Sequence, residues 1–130
     1  YKELYQSAGH DMNKFRVGVH MHCFFGENSK QTADEYYPVY SAQMTRIGST
    51  REWPPYTRPQ FDAGRGKQGA YIIGDASEAI DKILQMQEMF GLTRFSAHMD
   101  VGGPSHASLM KSIEIFGTKI APKVREALKN

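Results

Sequence analysis

The sequence predicts an α/β fold with parallel strands, and three observations carry that reading. Residues 15–25, 70–73 and 93–99 have the apolar content and spacing of strands. Each is followed by a stretch with helical periodicity. Glycines and prolines punctuate the units between them. Strands that alternate with helices imply parallel neighbours joined by right-handed crossovers.

Taken in order, residues 1–8 read as the end of a helix closed by Gly9. With Tyr1 at the first position, the expectation is a chain that starts inside a longer fold. In FRVGVHMHCFF, Phe15, Val17, Val19, Met21 and Cys23 share one face, and Gly18, His20 and His22 share the other. Period two over that length is a strand. A helix is expected over 32–47. Thr32 and Glu35 have the spacing of a capping box there, and Tyr37, Tyr40, Met44 and Ile47 recur at helical intervals. Pro38 is expected to kink this helix or to start its main part.

Residues 48–69 form an irregular insertion rich in proline and glycine, where Thr57 and Gln60 could cap one short helix. The second strand, 70–73, is short and wholly apolar. Asp75 and Glu78 suit the start of a helix over 76–90, and Gly91 suits its end. Its expected buried stripe is Ala79, Ile80, Ile83, Leu84 and Phe90. In the third strand Phe95, Ala97 and Met99 share a face opposite Arg94, Ser96 and His98. Gly102, Gly103 and Pro104 make a turn. A last helix begins near Ser105 and is expected to bury Leu109, Ile113, Phe116 and Ile120, with a kink or restart at Pro122.

Composition narrows the class. Hydrophobic residues make up 40% and charged residues 23%, which suits one globular domain with a core. A net charge of +2, with scattered lysines and arginines, gives no footprint for nucleic acid. No stretch approaches the roughly 18 apolar residues of a membrane span, and no secretory signal opens the chain. The single cysteine, Cys23, excludes an intrachain disulfide and points to a reducing, cytoplasmic setting. Its expected role is that of a small buried apolar residue.

In parallel α/β folds function gathers at the C-terminal ends of strands. That rule selects His22, Phe24 and Phe25, then Gly74 and Asp75, then His98, Asp100, Gly102 and Gly103. His20 and His22 project from one strand face and could hold a metal with a third ligand from His98 or Asp100. Hydrogen bonding inside a polar interior is the commoner role for such a pair. A polar strand end followed by glycines and a helix N-terminus can receive an anion or a flat ring. The competing reading of the same residues is a tight turn that needs glycine backbone angles. His106 is expected on the surface.

These residues also carry a resemblance. Arg16-Val17-Gly18-Val19 leading to His22, and Ile47-Gly48 followed by Arg51-Glu52-Trp53-Pro54-Pro55, resemble late segments of the luciferase-like flavin-dependent monooxygenases. So do Tyr71-Ile72-Ile73-Gly74-Asp75 with Glu78-Ala79-Ile80, and Arg94-Phe95 with His98-Met99-Asp100-Val101-Gly102-Gly103, His106 and Met110-Lys111-Ser112-Ile113-Glu114. The similar segments run in order through essentially the whole chain.

The resemblance implies a TIM (β/α)₈ barrel of which residues 1–130 are one partial domain: strands six to eight with their helices, and 1–9 as the end of the preceding helix. A complete barrel takes about 250 residues, so the missing N-terminal half would be the chain's first partner. Reduced FMN, or the deazaflavin F420 in some branches, would be the cofactor. Oxygen and a small organic molecule would be the substrates, with a flavin reductase as a possible supplier of electrons. His22, His98, Asp100, Gly102 and Gly103 would lie on the flavin or substrate side. Much of the phosphate site would come from earlier strands, so this piece alone is expected to be inactive. The protein's share of the chemistry would be positioning and exclusion of water, without a nucleophile triad. Three strands with helices on one side would leave open edges and an uncovered inner face at Gly18, His20 and His22, which predicts a homo-oligomer. The alternative function is a non-catalytic ligand-binding or interaction module built on the same half-barrel.

Overall fold

The computed structural model describes residues 1–129. After α1 (Lys2–Ser7) and a short 3₁₀ turn come β1 (Gly18–Phe25), α2 (Ser29–Ser49), α3 (Arg58–Arg65) and β2 (Tyr71–Gly74). Then follow α4 (Ala76–Phe90), β3 (Arg94–His98), α5 (His106–Ile115), a π-helical turn (Phe116–Ile120) and α6 (Ala121–Ala127). No helix among the described residues is long and apolar enough to cross a membrane.

The α/β reading with parallel strands holds, but the neighbour relations differ from a run of consecutive barrel strands. Such strands lie side by side in chain order, which would put β2 in the centre. The observed order is β2-β1-β3, with both pairings parallel. The chain leaves β2, passes through α4 and returns on the far side of β1. Helices then cover both faces. Met21, Cys23 and Phe25 pack with Ile72 against Ala79 and Ile83 of α4 and against Ile115 and Ile120. Phe24, Tyr71 and Ile73 pack against Ala33, Tyr36 and Tyr40 of α2 and Phe61 of α3. The strand alternation set this up, because odd and even positions of β1 feed the two layers.

The inner face expected to be bare is therefore half covered. Phe24 is buried under Tyr36, whose ring lies parallel to it at 4.1 Å, while Gly18 and His20 remain exposed. The outer edges of β2 and β3 are unpaired among the described residues.

Local chemistry explains most boundaries. Asn28 caps α2 through Gln31 N, four residues before the expected cap Thr32, and Thr32 Oγ1 instead donates back to Asn28 O at 2.7 Å. Pro38 lies inside α2 without ending it. It faces solvent, where water can serve the carbonyl that loses its helical donor. Thr57 and Gln60 form a complete capping box for α3. Asp75 caps α4 through Glu78 N, and Gly91 ends it at φ 62°. A buried lysine, Lys82 of α4, donates to the carbonyls of Gly66 and Tyr71 and ties that helix to β2.

Two expected core positions are not in the core. Phe90 is 57% exposed and Ile113 is 41% exposed. Phe90 is the last residue of α4 and overruns the sheet. In α5 the buried positions are Ser112 and Ile115, not Ile113. Ser112 accepts the buried Phe25 N–H at 2.9 Å, and that bond fixes the helix phase. The π turn then adds a residue to the helical repeat before Pro122.

Candidate functional site

β1 and β3 pair so that His22 stands directly beside His98. Their ring centroids are 5.4 Å apart, and His20 lies 5.1 Å from His98. Beyond β3 the chain turns sharply at residues 100–103, closed by Gly103 N–H donating to Asp100 O at 3.0 Å. Gly102, at φ 84°, holds the position where this kind of turn needs a left-handed residue. A Cβ at Gly102 would sit 2.5 Å from Val39 O, so α2 closes on the turn as tightly as glycine allows. Between strands, turn and α2 is an open groove of ≈ 590 Å³.

One ring nitrogen of His22 is engaged by α2. Its Nδ1 shares a 3.0 Å hydrogen bond with Tyr40 Oη, in a direction set by the imidazole tautomer. Burial, followed by the neighbouring His98 and His20 imidazoles, lowers its pKa and favours the neutral ring. Tyr40 is buried, and that burial raises its phenol pKa, so it remains a protonated partner. Asp100 Oδ1 lies 2.7 Å from His98 Nε2, which orients that imidazole. The groove thus offers a neutral imidazole, a carboxylate-paired imidazole and a glycine turn. That set can hydrogen-bond the polar edge of a flat ligand. No group of three His, Cys, Asp or Glu side chains among the described residues is arranged to hold a metal ion.

All five residues singled out as cofactor-facing, His22, His98, Asp100, Gly102 and Gly103, line this one groove. The other strand-end candidates do not. Phe24 and Phe25 are core residues on opposite layers, and Asp75 is spent on the α4 cap. His106 is exposed at the start of α5, and Cys23 is fully buried, as expected. Sequence reasoning missed the fourth side of the groove, Gln43 and Arg46 of α2. Their place one turn apart beside Met44 and Ile47 was the available signal, but only the apolar members were read. Arg46 donates to Gln43 Oε1 at 2.9 Å and is the groove's one guanidinium.

The fold and site define an α/β chain with a polar, histidine-lined groove beside its central strand. A scan of protein-family models and a search of the curated proteins found no match to the sequence.

Proposed function

We propose that this chain supplies one wall of a flavin site in an oxidoreductase that uses reduced FMN, with F420 as the variant, and oxygen to oxidise a small organic molecule. The observation that carries the reading is the convergence of His22, His98, Asp100, Gly102 and Gly103 on one groove. The groups suit the ring of a flavin better than its phosphate. His22 and His98 would hydrogen-bond the polar edge of the ring, and the glycine turn leaves room for close backbone approach. For the phosphate the groove has Arg46 alone and no helix N-terminus. The rest of the cradle would come from the other half of a (β/α)₈ barrel, and the chain by itself would bind weakly and not turn over. When bound, the flavin supplies the electron transfer to oxygen; these residues orient it and shield it from water.

A (β/α)₈ barrel would place β3 beside β2 and take this groove apart, so the groove supports the flavin site while the strand order counts against the barrel. The free edges of β2 and β3 favour self-association, which light scattering measures. A titration with FMN and with F420, followed by the imidazole resonances, tests the cofactor. Saturable shifts at His22 and His98 are expected, abolished by His98→Ala. Millimolar flavin that moves neither resonance rules the reading out.

A second reading is favoured by the strand order. Order β2-β1-β3 with helices on both faces is a doubly wound arrangement, in which ligands bind where the chain reverses direction across the sheet. On that reading the chain is a non-catalytic ligand-binding module. Flavin-dependent oxygen consumption by a longer product containing this chain would decide for the enzyme.

A further inference from the structure

A second cleft opens at the other end of β3, on the opposite layer. Its volume is ≈ 330 Å³, and it lies between α4, the start of β3, the π turn and α6. Its floor is apolar: Ile83 and Ile120 belong to the core, and Phe95, Phe116 and Val124 are partly buried against it. Leu128 stands at the rim, 48% exposed. Two cations, Arg94 and Arg125, complete the lining.

Those arginines belong to the cations of the chain without an ion-pair partner among the described residues. Lys30, Arg58, Arg65, Lys111, Lys119 and Lys123 each lie within ion-pair distance of a carboxylate. Among the described residues, Arg94 and Arg125 have no ion pair and no side-chain hydrogen bond, and no carboxylate lines the cleft with them. An apolar slot with two unpaired guanidiniums matches one kind of molecule. The hydrocarbon goes where Phe95 and Phe116 are, and the negative head goes to the arginines, which bind carboxylate or phosphate oxygens through paired N–H donors.

We propose that this cleft binds an aliphatic anion of medium length, its chain against Phe95, Phe116, Ile120 and Val124 and its head group on Arg94 and Arg125. The size agrees. Small-molecule pockets begin at roughly 300 Å³. A chain on the order of eight carbons, at about 30 Å³ for each water-sized group, nearly fills the space. The site is separate from the histidine groove and does not depend on the flavin reading.

The test is an NMR titration of the protein with octanoate, octyl phosphate and octylamine. Saturable shifts confined to Leu92, Phe95, Ile120, Val124 and Leu128 are expected for one or both anions. Octylamine is expected to bind at least about tenfold more weakly, since it brings a cation to two guanidiniums. Tighter octanoate identifies a free carboxylic acid as the ligand class, and tighter octyl phosphate a phosphate ester. An Arg94→Gln/Arg125→Gln double variant should lose about tenfold or more in affinity. If that variant does not fold, Ala121→Trp serves instead, because it fills the cleft from α6 and should abolish the shifts. No saturable shift for either anion, equal binding of octylamine, or undiminished binding by the variant that folds would overturn the proposal.

Discussion

Replacing Tyr36 by phenylalanine removes one oxygen atom and tests how the glycine turn is held. The Tyr36 hydroxyl donates to Val101 O at 2.7 Å, and both residues are buried. Val101 begins the Gly102–Gly103 turn, so this bond ties α2 to the groove. The phenol is pushed to higher pKa by its burial, so it stays a donor throughout the neutral range. In Tyr36→Phe the ring keeps its stacking on Phe24, and the apolar burial is unchanged. What is lost is the bond, and a buried main-chain acceptor is left without its partner. That combination costs about 1–2 kcal/mol. With a urea m-value of about 1.5 kcal/mol/M, the midpoint should fall by on the order of 1 M with m unchanged. Hydrogen exchange at Gly103 N–H should quicken by roughly the same free energy. Tyr36→Ala, which also removes the ring, should cost about 3–5 kcal/mol. A Tyr36→Phe midpoint within error of wild type, or unchanged exchange at Gly103, would refute the claim that this bond holds the turn.

Other consequences are more direct. Gly103→Ala meets open space at φ 71° and should cost only about 1–2 kcal/mol of left-handed strain. Gly102→Ala adds a collision with Val39 O and should cost clearly more; equal urea midpoints would contradict this packing. The Cys23 thiol, fully buried and pushed up to about 12 by that burial, should resist a thiol reagent at pH 8 until denaturant is added. Rapid labelling of the native protein would show the layer around it to be open. His22 should make stability pH-dependent. Its folded pKa lies below the unfolded 6.5, so between those values the unfolded chain binds more protons and stability falls as the pH falls. Tyr40, His20 and His98 face it, and Asp100 pairs with His98. In thermal melts from pH 7.5 to 5, His22→Gln should lose stability less steeply than wild type; parallel curves would discount the role of His22.

The legible parts of this fold were those written in short-range pattern. The alternation in β1, the caps Asp75 and Thr57, and the stop at Gly91 each depend on residues within a few positions. Helix phase was harder. Tyr37 was placed with Tyr40, Met44 and Ile47 on the recurring face of α2, yet Tyr36 is the one that stacks on Phe24, and Tyr37 is only half-buried. Adjacent tyrosines differ by about 100° around the helix, and only the position of the sheet chooses between them. In α5 the choice was made by a hydroxyl, Ser112, satisfying the N–H of Phe25. A scale that ranks residues by hydrophobicity does not find a buried serine. The strand-end residues that line the groove were legible from the alternation and the glycine turn, but its α2 wall depends on how that helix lies over β1.

Strand order is the property that sequence pattern leaves open, and here it decides what the histidines do. His22 and His98 touch because β3 pairs with β1. In chain-order neighbours, β2 would separate them, and two strand spacings place their backbones about 9.6 Å apart. The observed ring separation of 5.4 Å belongs to the β2-β1-β3 order and to no sheet with β2 in the middle. A ring-to-ring nuclear Overhauser contact between His22 and His98 therefore reports the order itself. It should be strong in this chain. If the same contact persists in a longer product that binds flavin, the strands keep this order there, and the groove works as a switch-point site. If it disappears while flavin binds, β3 has moved beside β2, and the low pKa of His22 should relax toward 6.5 as one of its two imidazole neighbours departs. A contact absent from this chain alone would refute the strand order, and with it the histidine cluster on which the groove is built.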